Sequence, residues 1–124
     1  MKSLLGNTRK PDIIFNSSGR IDISVRCARP LKLEKGDVID VTESESGEYY
    51  LYVKFRASIK NGKHEASVFP SNKKGHHFRT SSRKLCNAIL KICGETERVR
   101  LCIGEPVENS QFGTLLPLII KYHL

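Results

Sequence analysis

Apolar and polar positions alternate with a period of two along most of this chain, the signature of strands that bury one face. Ile13, Ile14 and Phe15 predict a first strand, and Asn16-Ser17-Ser18-Gly19 predicts a turn. Arg20 to Ile23 then pairs back as a hairpin, with Ile21 and Ile23 on one face. One or two helical turns follow, capped by Ser24, whose hydroxyl can accept an N–H of the first turn. Pro30 is expected to stop that helix, because its ring blocks continuation. After a Gly36-Asp37 turn, Val38 or Ile39 through Val41 makes another strand, and Thr42 to Glu48 an acidic loop. Tyr49, Leu51, Val53 and Phe55 form the buried face of the next strand. Tyr50, Tyr52, Lys54 and Arg56 form the other face, which must reach water.

Asn61-Gly62 predicts a tight hairpin, since a type I′ turn needs positive φ at both central residues. It would join Tyr49–Ile59 to His64–Phe69, with Pro70 ending the second strand and residues 71–79 a basic loop. The period then changes. Leu85, Ile89, Ile92 and Cys93 recur at helical spacing, with a cap from Thr80, Ser81 or Ser82 and Gly94 at the left-handed position past the end. Val99, Leu101 and Ile103 alternate as a strand, and Asn109-Ser110-Gln111 is a polar loop. Leu115 to Ile120 is the most apolar run of all. Because Pro117 cannot donate to a ladder, that run is expected at a sheet edge or a bulge, covered by the helix or by a second subunit.

These elements predict an α+β, β-rich fold: a small barrel-like or twisted antiparallel sheet with one main helix over about residues 81–93. A chain of 124 residues is expected to be one domain. Within it, 1–10 reads as a flexible basic arm, 11–54 as a β-hairpin region, and 55–124 as a hairpin, the helix and the C-terminal strands. No apolar run reaches the roughly 20 residues that cross a bilayer. The N-terminus lacks the apolar region of a signal peptide, so no membrane and a cytoplasmic location are expected. Cys27, Cys86, Cys93 and Cys102 show no Cys-x-x-Cys pair and sit among aliphatic residues, as small core side chains. A zinc site from His76, His77, Cys86 and Cys93 fails on geometry. The two cysteines lie two helical turns apart, about 10 Å, whereas zinc ligands converge at about 2 Å from the metal. Neither metal nor cofactor is expected.

Charge sharpens the picture. The net charge is +8, and residues 54–91 hold ten Lys or Arg against one acid, Glu65. A localised excess of cations suits a polyanion, because neutralising phosphates releases condensed counterions. The face of Tyr50, Tyr52, Lys54 and Arg56 could stack and neutralise a single strand, or be an ordinary half-covered sheet surface. Lys73, Lys74, Arg79, Arg83 and Lys84 surround the start of the helix, where free N–H groups and the dipole favour an anion. Phosphate-binding glycine loops and nucleophile elbows are missing from the sequence, which speaks against an enzyme.

Gly19, Arg20, Ile21, Ile23, Arg29, Leu31, Leu33, Gly36, Asp37 and Val41 stand in one ungapped stretch. That stretch resembles the AbrB-like swapped-hairpin transcription factors and antitoxins, whose signature is Gly-Arg-aliphatic-x-Ile-Pro, a short helix carrying arginines and a leucine, then Leu-x-Ile-x-x-Gly-Asp and an alternating strand; Ser24 stands here in place of the proline. The match covers residues 19–41, is extendable to Lys54, and leaves the second half unmatched. The resemblance implies an intertwined homodimeric barrel, a role in transcription regulation, and DNA contacts from Arg20 and Arg29. The expected function is therefore non-enzymatic nucleic-acid binding, DNA ahead of RNA, through Arg20, Arg29, Lys54, Arg56, Lys73, Lys74, Arg79, Arg83 and Lys84. The alternative is a protein–protein interaction module that uses an apolar edge strand and the basic surface.

Overall fold

Gly19, at φ +99°, reverses the chain between its first two strands. Only glycine adopts this conformation at no steric cost. In the computed structural model, which describes residues 10–57 and 65–121, those strands are β1 (Ile13–Asn16) and β2 (Arg20–Ile23). After them come α1 (Val25–Leu31), β3 (Val38–Glu43), β4 (Tyr49–Phe55), β5 (Phe69–Pro70), β6 (Phe78–Ser81) and α2 (Arg83–Cys93). The chain finishes with β7 (Arg98–Ile103), β8 (Val107–Asn109) and β9 (Gly113–Ile119). Residues 1–9 of the predicted arm at 1–10, and the predicted Asn61-Gly62 turn, lie outside the described residues.

The protein is α+β and β-rich. Its strands form one curled antiparallel half-barrel in the order β3-β4-β9-β7-β1-β2-β6-β5, with β8 on β9. The two ends of that path are stitched together. Val38 bridges Ser67, the Ile39 N–H donates to the Ala66 carbonyl (3.1 Å), and the Val68 N–H donates to the Asp37 carbonyl (2.8 Å). Residues 66–68 therefore pair with the start of β3. β4 has β3 and β9 as its partners, so the described flanks of the expected Asn61-Gly62 hairpin do not pair with each other.

Inward-facing residues of the strands, with Phe15, Ile21, Leu51, Leu101 and Leu116 fully buried, form one core cluster. The same cluster takes Cys27, Ala28 and Leu31 from α1 and Cys86, Ile89 and Leu90 from α2. Both helices thus pack on the concave side of the sheet. Removing a large aliphatic side chain from water contributes about 1.5–3 kcal/mol, and this closes the curl.

Four expectations change. In α2 the buried stripe runs through Cys86, Ile89 and Leu90, while Ile92 is exposed. The 3.6-residue repeat from Cys86 is the one that meets the sheet, with cysteine acting as an apolar residue. In α1, Ser24 stands at the cap position, yet its Oγ is buried with no hydrogen-bond partner among the described residues, and Pro30 lies inside the helix. The proline is tolerated because the helix ends one residue later. Lys32 turns left-handed (φ 52°), and the Leu33 N–H returns to the Ala28 carbonyl (3.0 Å).

The third correction concerns β9, which lies inside the sheet between β4 and β7, not at an edge. The Pro117 carbonyl accepts from the Gly104 N–H at 2.8 Å, so its donor-less nitrogen faces the same side. There the neighbouring chain leaves the ladder at Gly104-Glu105-Pro106, between β7 and β8, and needs no bond from it. An interior proline is accommodated by a break in the partner strand. Fourth, residues 78–81 are the strand β6 and not the end of a loop.

Candidate nucleic-acid interface

Strand alternation aims Ile21, Ile23, Phe78, Thr80, Val99 and Leu101 into the core, and their neighbours outward. Register then fixes which outward residues adjoin. Across β7-β1-β2-β6-β5 one row reads Arg100, Ile14, Asp22, Arg79, Phe69, from the pairs Ile14↔Arg100, Ile14↔Asp22, Asp22↔Arg79 and Phe69↔Arg79. The next row reads Arg98, Asn16, Arg20, Ser81, from Asn16↔Arg98 and Arg20↔Ser81, with the Asn16 side-chain amide donating to the Arg20 carbonyl (2.9 Å). Adjacent strands lie about 4.8 Å apart, so the arginines spread over about 14 Å from β7 to β6. Neither helix covers this convex face.

Three of the four arginines are anchored through Nε. Asp22 accepts from Arg20 Nε (3.1 Å) on Oδ2 and from Arg79 Nε (2.8 Å) on Oδ1. Asn16 Oδ1 accepts from Arg98 Nε at 2.8 Å. Fixing a guanidinium at Nε orients the plane while leaving its Nη donors for a second acceptor, the fork that suits phosphate. Asp22 is the one acid in the two rows, and Glu95 and Glu97 line a groove with Arg98 and Arg100 at their β7 end, so four arginines stand against three carboxylates.

The loop from Ser71 to His77 stands at one end of these strands. It is closed by Ser71 N–H to the His77 carbonyl (2.9 Å), and Asn72 Oδ1 accepts from the N–H groups of His76 (3.1 Å) and His77 (3.2 Å). Lys73 and Lys74 are exposed on this loop. That loop joins β5 and β6, the strands that carry Phe69 and Arg79.

The other predicted residues stand elsewhere. Arg29 is exposed on α1. Lys54 pairs with Asp40 Oδ2 at 3.7 Å, and lies over the Phe55 ring at 5.6 Å. Arg56 is a structural clamp: its Nη1 bonds Asp37 Oδ2 (3.0 Å) and the Lys32 carbonyl (3.0 Å), and its Nη2 the Leu31 carbonyl (2.8 Å). The expected stacking surface on β4 is also taken. Tyr52 is buried edge-on against Phe112 at 5.0 Å, and the Tyr50 hydroxyl donates to Glu48. That bond raises the Tyr50 pKa, while burial first and Asp40 next raise that of Tyr52, so both rings stay neutral at physiological pH.

At the start of α2, the expected phosphate cradle holds the protein's own groups. Ser82 Oγ accepts the Leu85 N–H (3.1 Å) and donates to Glu65 Oε1 (3.0 Å), which brings a carboxylate to the positive end of the helix. Arg83 and Lys84 are exposed there. Lys84 shares a groove of about 470 Å³ with Lys54, Asp40 and Glu65, where cations and acids are mixed. The structure thus brings Arg20 and Arg79 together, with Lys73 and Lys74 on the adjoining loop, and adds Arg98, Arg100 and Phe69. The sequence carried one sign of the missed pair: Arg98 and Arg100 occupy the polar positions of an alternating strand.

Among the described residues, no group of three His, Cys, Asp or Glu could hold a metal ion. No helix there is long and apolar enough to cross a membrane. Fold and site together define the class: a β-rich half-barrel bearing arginines on its convex face. No protein-family model, curated protein or solved structure matches the chain.

Proposed function

We propose that this protein is a nucleic-acid-binding protein whose contact surface is the convex face of β7-β1-β2-β6-β5. One observation carries the reading. Arg20, Arg79, Arg98 and Arg100 occupy two adjoining rows of a sheet face that neither helix covers, with Asp22 as the single acid within those rows. Lys73 and Lys74 extend it at the β5–β6 loop. The support is electrostatic and geometric: orientated guanidinium forks, spaced one or more strands apart, match a backbone of repeating phosphates. Of the two arginines that the AbrB-like resemblance assigns to DNA, Arg20 belongs to this surface and Arg29 to α1, so the face carries the reading independently of that family. With β9 inside the sheet, the alternative of a partner recruited by an apolar edge strand loses its proposed edge.

The test is fluorescence anisotropy with labelled oligonucleotides across a salt series. Binding should weaken steeply with salt, because log K falls with a slope of about −0.7 to −0.9 per neutralised phosphate. The Arg98→Ala, Arg100→Ala double variant should weaken binding and flatten the slope by about 1.4–1.8. Arg29→Ala should change neither. Absence of binding at low ionic strength, or an unchanged slope in the double variant, refutes the proposal.

A further inference from the structure

We infer that the nucleic acid held on this face is single-stranded, with a base stacked on Phe69 and the backbone running over the neighbouring arginines; this rests on the nucleic-acid reading above. Phe69 is the cross-strand partner of Arg79 and shares its outward face, yet 45% of its surface is exposed. A large aromatic ring left in water beside an anchored arginine has no packing role in the core. It does offer a π-face on the strand next to Arg79, so that a base can stack while its phosphate meets a guanidinium.

Shape argues the same way. The arginines span about 14 Å of a convex surface, whereas the major groove of a duplex is about 12 Å wide and admits only a helix or a two-stranded ribbon. A convex sheet against a convex duplex touches along a narrow line, while a flexible single strand can follow the curve. In a duplex, moreover, the base faces are already stacked on one another and Phe69 would find none.

The face also has a recess for a base to enter. A groove of about 280 Å³ next to Asp22 has Asp12, Ile14, Asp22, Ser24, His77 and Phe78 among its lining residues. It combines aliphatic and aromatic walls with two carboxylates, Asp12 and Asp22. A planar ring with polar edges fits that lining better than a phosphate, which the Asp22 carboxylate would repel.

Anisotropy with one labelled oligonucleotide of about 16 nucleotides, the upper site size of such platforms, separates the outcomes. It is measured as a single strand and, annealed to its complement, as a duplex. The single strand should bind at least about tenfold more tightly at matched salt. Phe69→Ala should cost the single strand about tenfold, the scale of one lost stacking contact, and leave its salt slope unchanged. Phe69→Leu, which keeps apolar bulk without a π-face, should not restore the affinity. Arg79→Ala should instead lower the slope by about 0.7. Equal or tighter binding of the duplex, or full affinity in Phe69→Ala, overturns this inference while leaving the nucleic-acid reading standing. Absence of salt-dependent binding to both forms removes that reading as well.

Discussion

Replacing Asp37 by alanine should destabilise the protein by about 3–5 kcal/mol. Asp37 is 1% exposed and joins three parts of the fold. Its Oδ2 accepts from the Glu34 N–H (2.9 Å) and Arg56 Nη1 (3.0 Å), and its Oδ1 from the Ala57 N–H (2.9 Å). Its carbonyl accepts the Val68 N–H that closes the barrel seam. Truncation leaves two part-buried N–H donors without partners, each costing about 1–3 kcal/mol. The lost ion pair adds at most about 1 kcal/mol, because Arg56 reaches water and keeps the Leu31 and Lys32 carbonyls. For a chain of this size each kcal/mol shifts Tm by about 3–5 °C, so calorimetry should record a fall of roughly 10–25 °C. Asp37→Asn, which keeps one acceptor oxygen, should cost about half as much. A variant Asp37→Ala that melts within about 3 °C of the wild type would falsify the assignment of this carboxylate as the seam's organising acceptor.

Three further outcomes are expected. Gly19→Ala should lose about 1–3 kcal/mol in urea unfolding, since φ is +99° and the new Cβ would come within 2.8 Å of Arg83 Cγ; unaltered stability contradicts the tight β1–β2 turn. Asp22→Asn should tighten oligonucleotide binding about threefold at low salt, because one carboxylate about 5–6 Å from a phosphate opposes it by about 0.7 kcal/mol in water; weaker binding would mean that its anchoring of Arg20 and Arg79 outweighs its charge. Thiol labelling followed by mass spectrometry should modify half-buried Cys93 first, and Cys27 and Cys86 only on unfolding. Burial raises the thiol pKa of all three. Native-state labelling of Cys93 should therefore be slow at neutral pH and accelerate as pH rises and thiolate forms; early modification of Cys27 contradicts its position in the core.

Local chemistry made a good part of this fold legible. The β1–β2 turn at Gly19, β3 after Gly36-Asp37, β4, α2 between Ser82 and Gly94, and β7 all follow from alternation, glycine and capping, which act over a few residues. Pro117 and Cys86 show where that reasoning stopped. Proline at an interior strand is admissible only because a distant segment breaks opposite it, and the buried stripe of α2 depends on which face the sheet presents. β6 escaped notice because a four-residue strand next to a basic loop has too short a pattern to register. As for the candidate site, Arg20 and Arg79 were visible as cations, whereas their shared carboxylate was not.

By itself, then, the sequence determined the strand-rich character, the principal helix and the position of most turns, because those depend on interactions within a few residues of each other. It also determined that cations exceed acids. Only the tertiary structure decided which cations are structural and which are available. Arg56 closes a part-buried clamp and Lys54 meets Asp40, while Arg98 and Arg100 are carried by strand order to the same face as Arg20 and Arg79. That sorting depends on pairings between β1, β2, β6 and β7 across more than fifty residues of chain, and no local pattern encodes which strand lies beside which.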